Sequence, residues 1–271
     1  MSNPQKGLKG LTDLFRANGS VSTRTEYATY AFWIFFFAGS WALFRPPVMP
    51  SLGDIGASFE PLLTKHDLIG NWIKTVTLSL KAVGISCLVS LVVAYLAVIP
   101  FFRPIAFAVS KMRFMSLMGF LFLFMAILRD PGLVRISMLV YGIVPFLVTS
   151  MTSIILSRDE IFFNYARTLN LKEGRVVWHV LVRGIASDML EAVRQNIAIA
   201  FVMIAAVESQ VREGGGLGML LYDVERRGAN YGEVFAIQIV VFITAALLDT
   251  LVSYANRSLF PYAYLKKERN S

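Results

Sequence analysis

Apolar residues arrive in this chain as six blocks that reach or approach the length needed to cross a bilayer. They run Tyr27 to Leu43, Val76 to Pro100, Phe114 to Leu128, Ile136 to Leu156, Val193 to Val207 and Val234 to Tyr254. Spanning about 30 Å of hydrocarbon as a helix takes roughly 20 predominantly apolar residues, and every backbone polar group in lipid must be satisfied within a helix or a closed barrel. The blocks are continuously apolar and lack the alternation of lipid-facing strands, which selects helices. Hydrophobic residues fill 56% of the 271 positions, above the roughly 45–50% of an ordinary soluble domain. The expected fold is an all-α integral membrane protein, a six-transmembrane-helix bundle. In the fifth block the clean run is only Ile197 to Val207, so its helix must draw Gln195 and Asn196 into the membrane, where a bundle interior can satisfy them.

Cytoplasmic flanks of membrane helices accumulate Lys and Arg, and with six spans the basic residues sort to one side. That side carries Lys6, Lys9, Arg16 and Arg24, then Arg103, Lys111 and Arg113, then Arg158, Arg167, Lys172, Arg175, Arg183 and Arg194, then Arg257, Lys266, Lys267 and Arg269. The other side has fewer, including Arg45, Lys65, Lys74, Arg129 and Arg135, interspersed with acids such as Asp54, Asp67 and Asp130. Both termini are therefore expected in the cytoplasm. The net charge of +8 is explained by topology, and nucleic acid is not an expected partner.

No apolar run begins in the first two dozen residues, so the start does not read as a signal peptide. Leu8, Leu11, Leu14 and Phe15 share a face beside Lys6, Lys9 and Arg16. This suits a short helix on the inner leaflet, with a loose polar tail as the alternative. The expected division is 1–24 as a cytoplasmic, interfacial segment and 25–271 as the transmembrane domain. Cys87, the single cysteine, lies inside the second span and reads as a small packing residue.

Catalytic patterns are absent from the sequence. His66 and His179 fall on opposite sides of the membrane in this topology, which argues against a zinc pair. There is no HExxH, no GxSxG and no GxxxxGK[ST] phosphate loop. The run Gly214-Gly215-Gly216-Leu217-Gly218 has no following Lys-Ser or Lys-Thr. The chain is expected to be no enzyme and to bind no cofactor; if ATP drives it, another chain binds the ATP and its Mg.

Between the fourth and fifth spans, Phe162, Tyr165, Ala166 and Leu169 fall at i, i+3, i+4 and i+7, one apolar stripe on a short helix whose other face carries Asp159, Glu160 and Arg167. Asn170 stands where a left-handed cap is expected, because Asn tolerates positive φ. A second amphipathic segment with Val176, Val177, Val180 and Leu181 follows. The hairpin either packs only on its own bundle and the membrane surface, or seats a helix in a partner's groove.

The segment from Asn164 to Arg194 resembles the Glu-Ala-Ala loop of the inner-membrane permease subunits of type I ATP-binding cassette importers. Ala166, Arg167 and Leu169 agree with that loop and Val193-Arg194 takes the place of its Leu-Arg pair, whereas Asn164-Tyr165 replaces Glu-Ala, Asn170 replaces the turn glycine and Val182-Arg183 replaces Leu-Pro. Ser79-Leu80-Lys81 is similar to the family's Ser-Leu-x-Arg entry to the second span. Ala205-Ala206-Val207-Glu208 with Gly216-Leu217-Gly218 is similar to the signature of the branch serving nitrate, taurine, alkanesulfonates and thiamine-precursor pyrimidines. Leu247-Leu248-Asp249 and Arg257-Ser258-Leu259-Phe260-Pro261-Tyr262 match the same branch. The resemblance covers residues 72–262.

It implies a permease subunit in the bacterial cytoplasmic (inner) membrane that moves a small polar solute by alternating access, a sulfonate- or nitrate-like anion being favoured. Implied partners are two cytoplasmic ATP-binding cassette subunits, a second permease subunit expected to be an identical copy, an extracytoplasmic solute-binding protein and membrane lipid. Tyr165, Ala166, Arg167, Leu169 and Asn170 would form the cytoplasmic coupling helix, with Leu169 as apolar anchor and Arg167 as a polar partner of the ATPase surface.

Ionisable groups in spans are costly and point to function. Lys81 would either snorkel to the outer interface or line the solute route. Glu208 would either contact solute or hold the glycine loop by accepting backbone N–H bonds, and Gly216 and Gly218 mark that outer loop. Asp249 is expected to pair with Arg257 or Arg194. Gln195, Phe201 and Met203 are further candidates for the route, bundle packing being the alternative. Two rival classes remain, a secondary transporter and a membrane-embedded enzyme.

Overall fold

The computed structural model describes residues 23–44, 49–227 and 231–263; the proposed N-terminal interfacial segment and the basic C-terminal residues Lys266, Lys267 and Arg269 lie outside them. Contacts divide the chain into two compact units, Met1–Asp54 and Ile55–Ser271. In the first, helix α1 (Thr23–Phe44) covers the first expected span and carries a run of touching rings, Phe32, Trp33, Phe36 and Phe37. These rings are largely exposed, as suits a surface that lipid or another chain would cover. The Trp41 indole donates to the Pro50 carbonyl. Ser51 and Asp54 then exchange side-chain-to-backbone bonds, a reciprocal cap that starts α2 (Leu52–Thr64).

The second unit is all-helical among its described residues. Helix α3 (Leu68–Leu96) starts at Asp67, which adopts φ +46° and accepts the Gly70 N–H. Next come α4 (Arg103–Lys111), a short 3-10 turn (Met112–Phe114) and α5 (Leu117–Ile127). Helix α6 (Pro131–Leu156) opens with Asp130 capping the Leu133 N–H and Pro131 in the first turn, where a missing N–H costs nothing. Short helices α7 (Glu160–Thr168) and α8 (Glu173–Val177) lead through a π-helical turn (Trp178–Arg183) into α9 (Ala186–Gln210). The chain closes with α10 (Leu217–Arg226) and α11 (Tyr231–Leu259).

Four of these helices, α3, α6, α9 and α11, are long and apolar enough to cross a membrane. They match the second, fourth, fifth and sixth expected spans. The third expected span differs. Helices α4 and α5 meet at a 107° bend, and the 11 residues of α5 reach only about 16 Å at 1.5 Å per residue. The break falls at Met115, where the backbone turns extended just after Phe114, so Phe114 to Leu128 is not one straight helix: Phe114 ends the 3-10 turn and α5 carries Leu117–Ile127.

Helix α6 is the hub, packed against α3, α4, α5 and α9. The face of α3 turned inward is a ladder of small residues, Thr75, Ser79, Ala82, Ser86, Ser90 and Ala94, all buried. Small side chains let two backbones approach closely where no hydrophobic drive separates helix from lipid, and the Ser90 hydroxyl reaches the Val144 carbonyl of α6. The main core is drawn from α6 and α9, with Met138, Leu139, Leu147, Met151 and Ile204 fully enclosed. A second core gathers Ile55 and Leu62 of α2, Leu217 and Leu220 of α10, and Ala236 and Ile237 of α11. Polar pairs tie α11 down: Trp72 Nε1 donates to Thr244 Oγ1 at 2.8 Å, and Ser187 Oγ donates to Asn256 Oδ1 at 3.0 Å. Asn196 sits buried in α9, donating to the Ala192 carbonyl and to Ser150 Oγ of α6, so the bundle satisfies this intramembrane amide internally.

Candidate functional site

Three polar assemblies are distributed along the bundle. The first lies where α9 ends. Glu208 is wholly buried, and its carboxylate accepts the Gly218 N–H at 2.9 Å, the Thr75 hydroxyl at 2.9 Å and the Arg135 guanidinium at 3.2 Å. Arg135, also buried, donates from the same nitrogen to the Gly215 carbonyl at 2.7 Å. Thr75 Oγ1 accepts the Leu217 N–H at 2.8 Å, and Asn71 Oδ1 accepts the Gly216 N–H at 2.9 Å. Three helices thus hold the glycine loop through its backbone.

The loop can be gripped this way because glycine fills its tightest positions. Gly215 (φ +72°) and Gly216 (φ +120°) occupy a region open essentially to glycine alone. A Cβ on Gly216 would fall on the Glu208 carboxylate and one on Gly218 would fall on the Ala205 backbone carbonyl. Gly216 and Gly218 are therefore parts of a clamp. Within it a carboxylate and a guanidinium are removed from water together, an arrangement tolerated only where pairing and hydrogen bonding are both supplied.

The second assembly is the hairpin at the other end of α9. Asn170 adopts φ +57° and its N–H bonds the Arg167 carbonyl, closing α7 with the expected left-handed residue. Arg167 Nε and Nη2 donate to the two Glu173 oxygens at 2.9 and 3.3 Å, and Nη1 donates to Asn164 Oδ1. Arg167 therefore braces α7 against α8. This ion pair holds the Glu173 carboxyl below its ordinary range and raises the Arg167 guanidinium. Ala166 faces inward, Phe163 packs on the main core, and Val176 and Leu181 are buried. Ile161, Phe162, Tyr165 and Leu169 remain exposed, Tyr165 at 68% and Leu169 at 60%. The hairpin joins α9 through the π-helical turn, and Gly184 follows it where a Cβ would meet the Val180 carbonyl.

The third assembly joins α9 to α11. Arg194 makes a two-pronged pair with Glu191 at 2.6 and 2.9 Å and bonds both Asp249 oxygens at 3.0 Å. Asp249 thus pairs with Arg194, one of its two expected partners. Beside it, a cleft of about 510 Å³ between α6 and α9 is lined by Ser150, Arg158, Asp188, Glu191 and Gln195 among others. Lys81 is exposed on α3. Phe201 is buried, and Met203 is half-buried against the main core. Of the proposed solute-route residues only Gln195 lines this cleft, and the structure does not gather Lys81, Gln195, Phe201, Met203 and Glu208 around one space.

Asn71, Thr75 and Arg135 were not singled out from the sequence. The small-residue ladder through Thr75, Ser79, Ala82 and Ser86 at helical spacing is the signal that marks the α3 face, while nothing local marks Arg135 as buried. No group of three or more His, Cys, Asp and Glu able to hold a metal occurs among the described residues.

The sequence matches no protein-family model, and no curated protein matches it. Among solved structures, a chain from the crystal structure of a bacterial ABC transporter involved in the import of the acidic polysaccharide alginate superposes with a TM-score of 0.57. The two chains are 14% identical, and the match covers 87% of this chain and 96% of that one. At that identity the likeness shows the fold: this chain has the helical membrane fold of a chain in that transporter.

Proposed function

We propose that this chain is the transmembrane permease subunit of an ATP-binding cassette importer in the bacterial cytoplasmic membrane. The observation that carries the reading is the exposed apolar face of α7, held at one end of a bundle with the importer-like fold. Ile161, Phe162, Tyr165 and Leu169 are apolar surface on a rigid, braced hairpin, and such surface outside a bilayer fits a partner's groove. The hairpin end is the one flanked by most of the Lys and Arg, which supports a cytoplasmic side for it. The division into 1–24 and a permease domain of 25–271 is part of this reading, as are α1 and the bent α4–α5 pair as crossings beyond the four long apolar helices.

Two ATPase subunits, each taking one hairpin, drive alternating access. Closure of the ATPases pulls on α7, and the Arg167–Glu173 brace passes the displacement to α9 as a rigid-body movement. In this division of labour Leu169 and Tyr165 make the contact, Ala166 lets α7 lie close to the bundle, Asn170 sets the turn and Arg167 holds the lever's shape. ATP and Mg belong to the partners. A second copy of the chain completes the pathway, and an extracytoplasmic binding protein delivers the solute. The solute class, a small polar molecule with sulfonate- or nitrate-like anions favoured, rests on the motif resemblance. Lys81 and Gln195, exposed on α3 and α9, are the route candidates that keep open space around them.

The test is recovery of partners from the native membrane in mild detergent, wild type against Leu169→Asp, followed by mass spectrometry. An ATPase recovered with wild type and lost with the variant is the expected result. No ATPase with either chain would move a gradient-driven secondary transporter ahead of this reading.

A further inference from the structure

We propose that a cleft between α4 and α6, at the hairpin end of the bundle, binds the phosphate headgroup of an anionic membrane lipid. The cleft has a volume of about 490 Å³. Its rim carries Lys111 and Arg113, both exposed and without an ion-pair partner among the described residues; what they touch is the face of Phe114, at 5.8 and 4.9 Å from the ring centroid. Its floor is formed by hydroxyl side chains of α6. Thr152 is 97% buried and its Oγ1 has no hydrogen-bond partner, although a hydroxyl in a helix ordinarily bonds the carbonyl one turn back, as Thr149 does to Pro145 in the same cleft. A buried hydroxyl left without a partner is costly, so a ligand acceptor at this position would relieve a standing penalty.

The surroundings select the ligand. No acidic residue lines the cleft, in contrast to its neighbour on the other side of α6, which holds Asp188 and Glu191. Both α4 and α6 end here, and the partial negative charge of two helix C-termini repels an anion unless cations stand in front of it, which is where Lys111 and Arg113 are. Phe107 and Leu156, each more than 40% exposed, flank the opening and offer apolar surface to an acyl chain. Paired cations, hydroxyl donors and apolar flanks match a phosphodiester carried on a lipid, and basic pockets between membrane helices bind such headgroups. The two cations stand just before the bend at Met115 that separates α4 from α5.

The full-length chain is to be reconstituted in nanodiscs of phosphatidylglycerol and phosphatidylcholine, and the lipids retained after transfer to detergent are counted by native mass spectrometry. Wild type is expected to retain phosphatidylglycerol over phosphatidylcholine, with Lys111→Gln/Arg113→Gln lowering that preference roughly thirtyfold at about 1 kcal/mol per basic residue. Thr152→Val, close in shape, is expected to lower it less while melting no earlier than wild type. Lys172→Gln/Arg175→Gln on the hairpin makes the same charge change elsewhere and should leave retention unaltered. Equal retention in wild type and Lys111→Gln/Arg113→Gln, or equal loss in the hairpin control, would overturn the site. Displacement of the lipid by millimolar inorganic phosphate would keep the phosphate chemistry and identify free phosphate as a competing source. The readout involves no ATPase, so it stands or fails separately from the importer reading.

Discussion

Glu208 and Arg167 each belong to an ion pair at one end of α9, and the two pairs are built from opposite materials. Glu208 pairs with Arg135 where both side chains are buried, at 0% and 7% exposure, and neighbouring hydroxyl and backbone donors complete the carboxylate's shell. Arg167 pairs with Glu173 in the open, with half or more of each side chain exposed. Charges withdrawn from water are expensive to separate, whereas an exposed pair is worth roughly 0–1 kcal/mol. The clamp therefore fixes three helices and a loop relative to one another, and the hairpin keeps its shape while leaving its apolar face free for a partner.

The hardest blow to this contrast is Glu208→Ala. It strands Arg135 and takes the acceptor from the Gly218 N–H, and breaking one side of a buried pair costs about 3–5 kcal/mol. Melting of the detergent-solubilised chain should fall by far more than for Glu173→Ala. Similar melting for the two variants would dissolve the distinction between the ends. Next in size is Gly216→Ala, for which the φ of +120° and the Glu208 carboxylate in the path of a Cβ predict a loss of about 1–3 kcal/mol, read in the same assay. Gly174→Ala, with nothing near its Cβ, supplies the neutral reference on the hairpin.

Leu169→Asp sharpens the comparison from the other side. The side chain is 60% exposed and replaces no core contact, so stability should stay within about 0.5 kcal/mol of wild type even as ATPase recovery is lost. A large drop in melting temperature would mean that Leu169 serves the bundle and not a partner.

The ends also differ in how far they could be read in advance. Continuous apolar runs announced α3, α6, α9 and α11, because length and hydropathy are properties of one segment. The hairpin was legible too, since its stripe at i, i+3, i+4 and i+7 and the cap at Asn170 are local, and the turn geometry at φ +57° follows from the residue type. The clamp was legible only in part. Glu208 and the glycines stood out, and a loop-holding role was one of two readings for Glu208. Their partners Asn71, Thr75 and Arg135 come from helices 73 or more residues away in sequence, and Arg135 in particular reads as an ordinary flanking charge until packing buries it. The 107° break was not foreseen, although Ser116, the N-cap of α5, directly follows Met115 inside the expected third span. What decides the direction there is how α5 lies on α6, through contacts such as Phe120 and Phe124 against Tyr141.

The smallest expected effect concerns the Arg167–Glu173 brace and acid. Arg167 lowers the Glu173 carboxyl in the folded chain, so the brace contributes whatever stability it has above the ordinary glutamate range. That contribution is lost as pH falls from about 4.3 through the lower folded value, because the unfolded chain takes up the proton first. Arg167 stays charged throughout. Carbon-detected titration of a chain labelled at glutamate should therefore show Glu173 protonating at lower pH than it does after Arg167→Gln, with 0.5 M salt narrowing the gap as it screens an exposed pair. Coincident titrations would mean that the two side chains do not hold each other in solution, and the lever would then need another element to keep α7 rigid against α8.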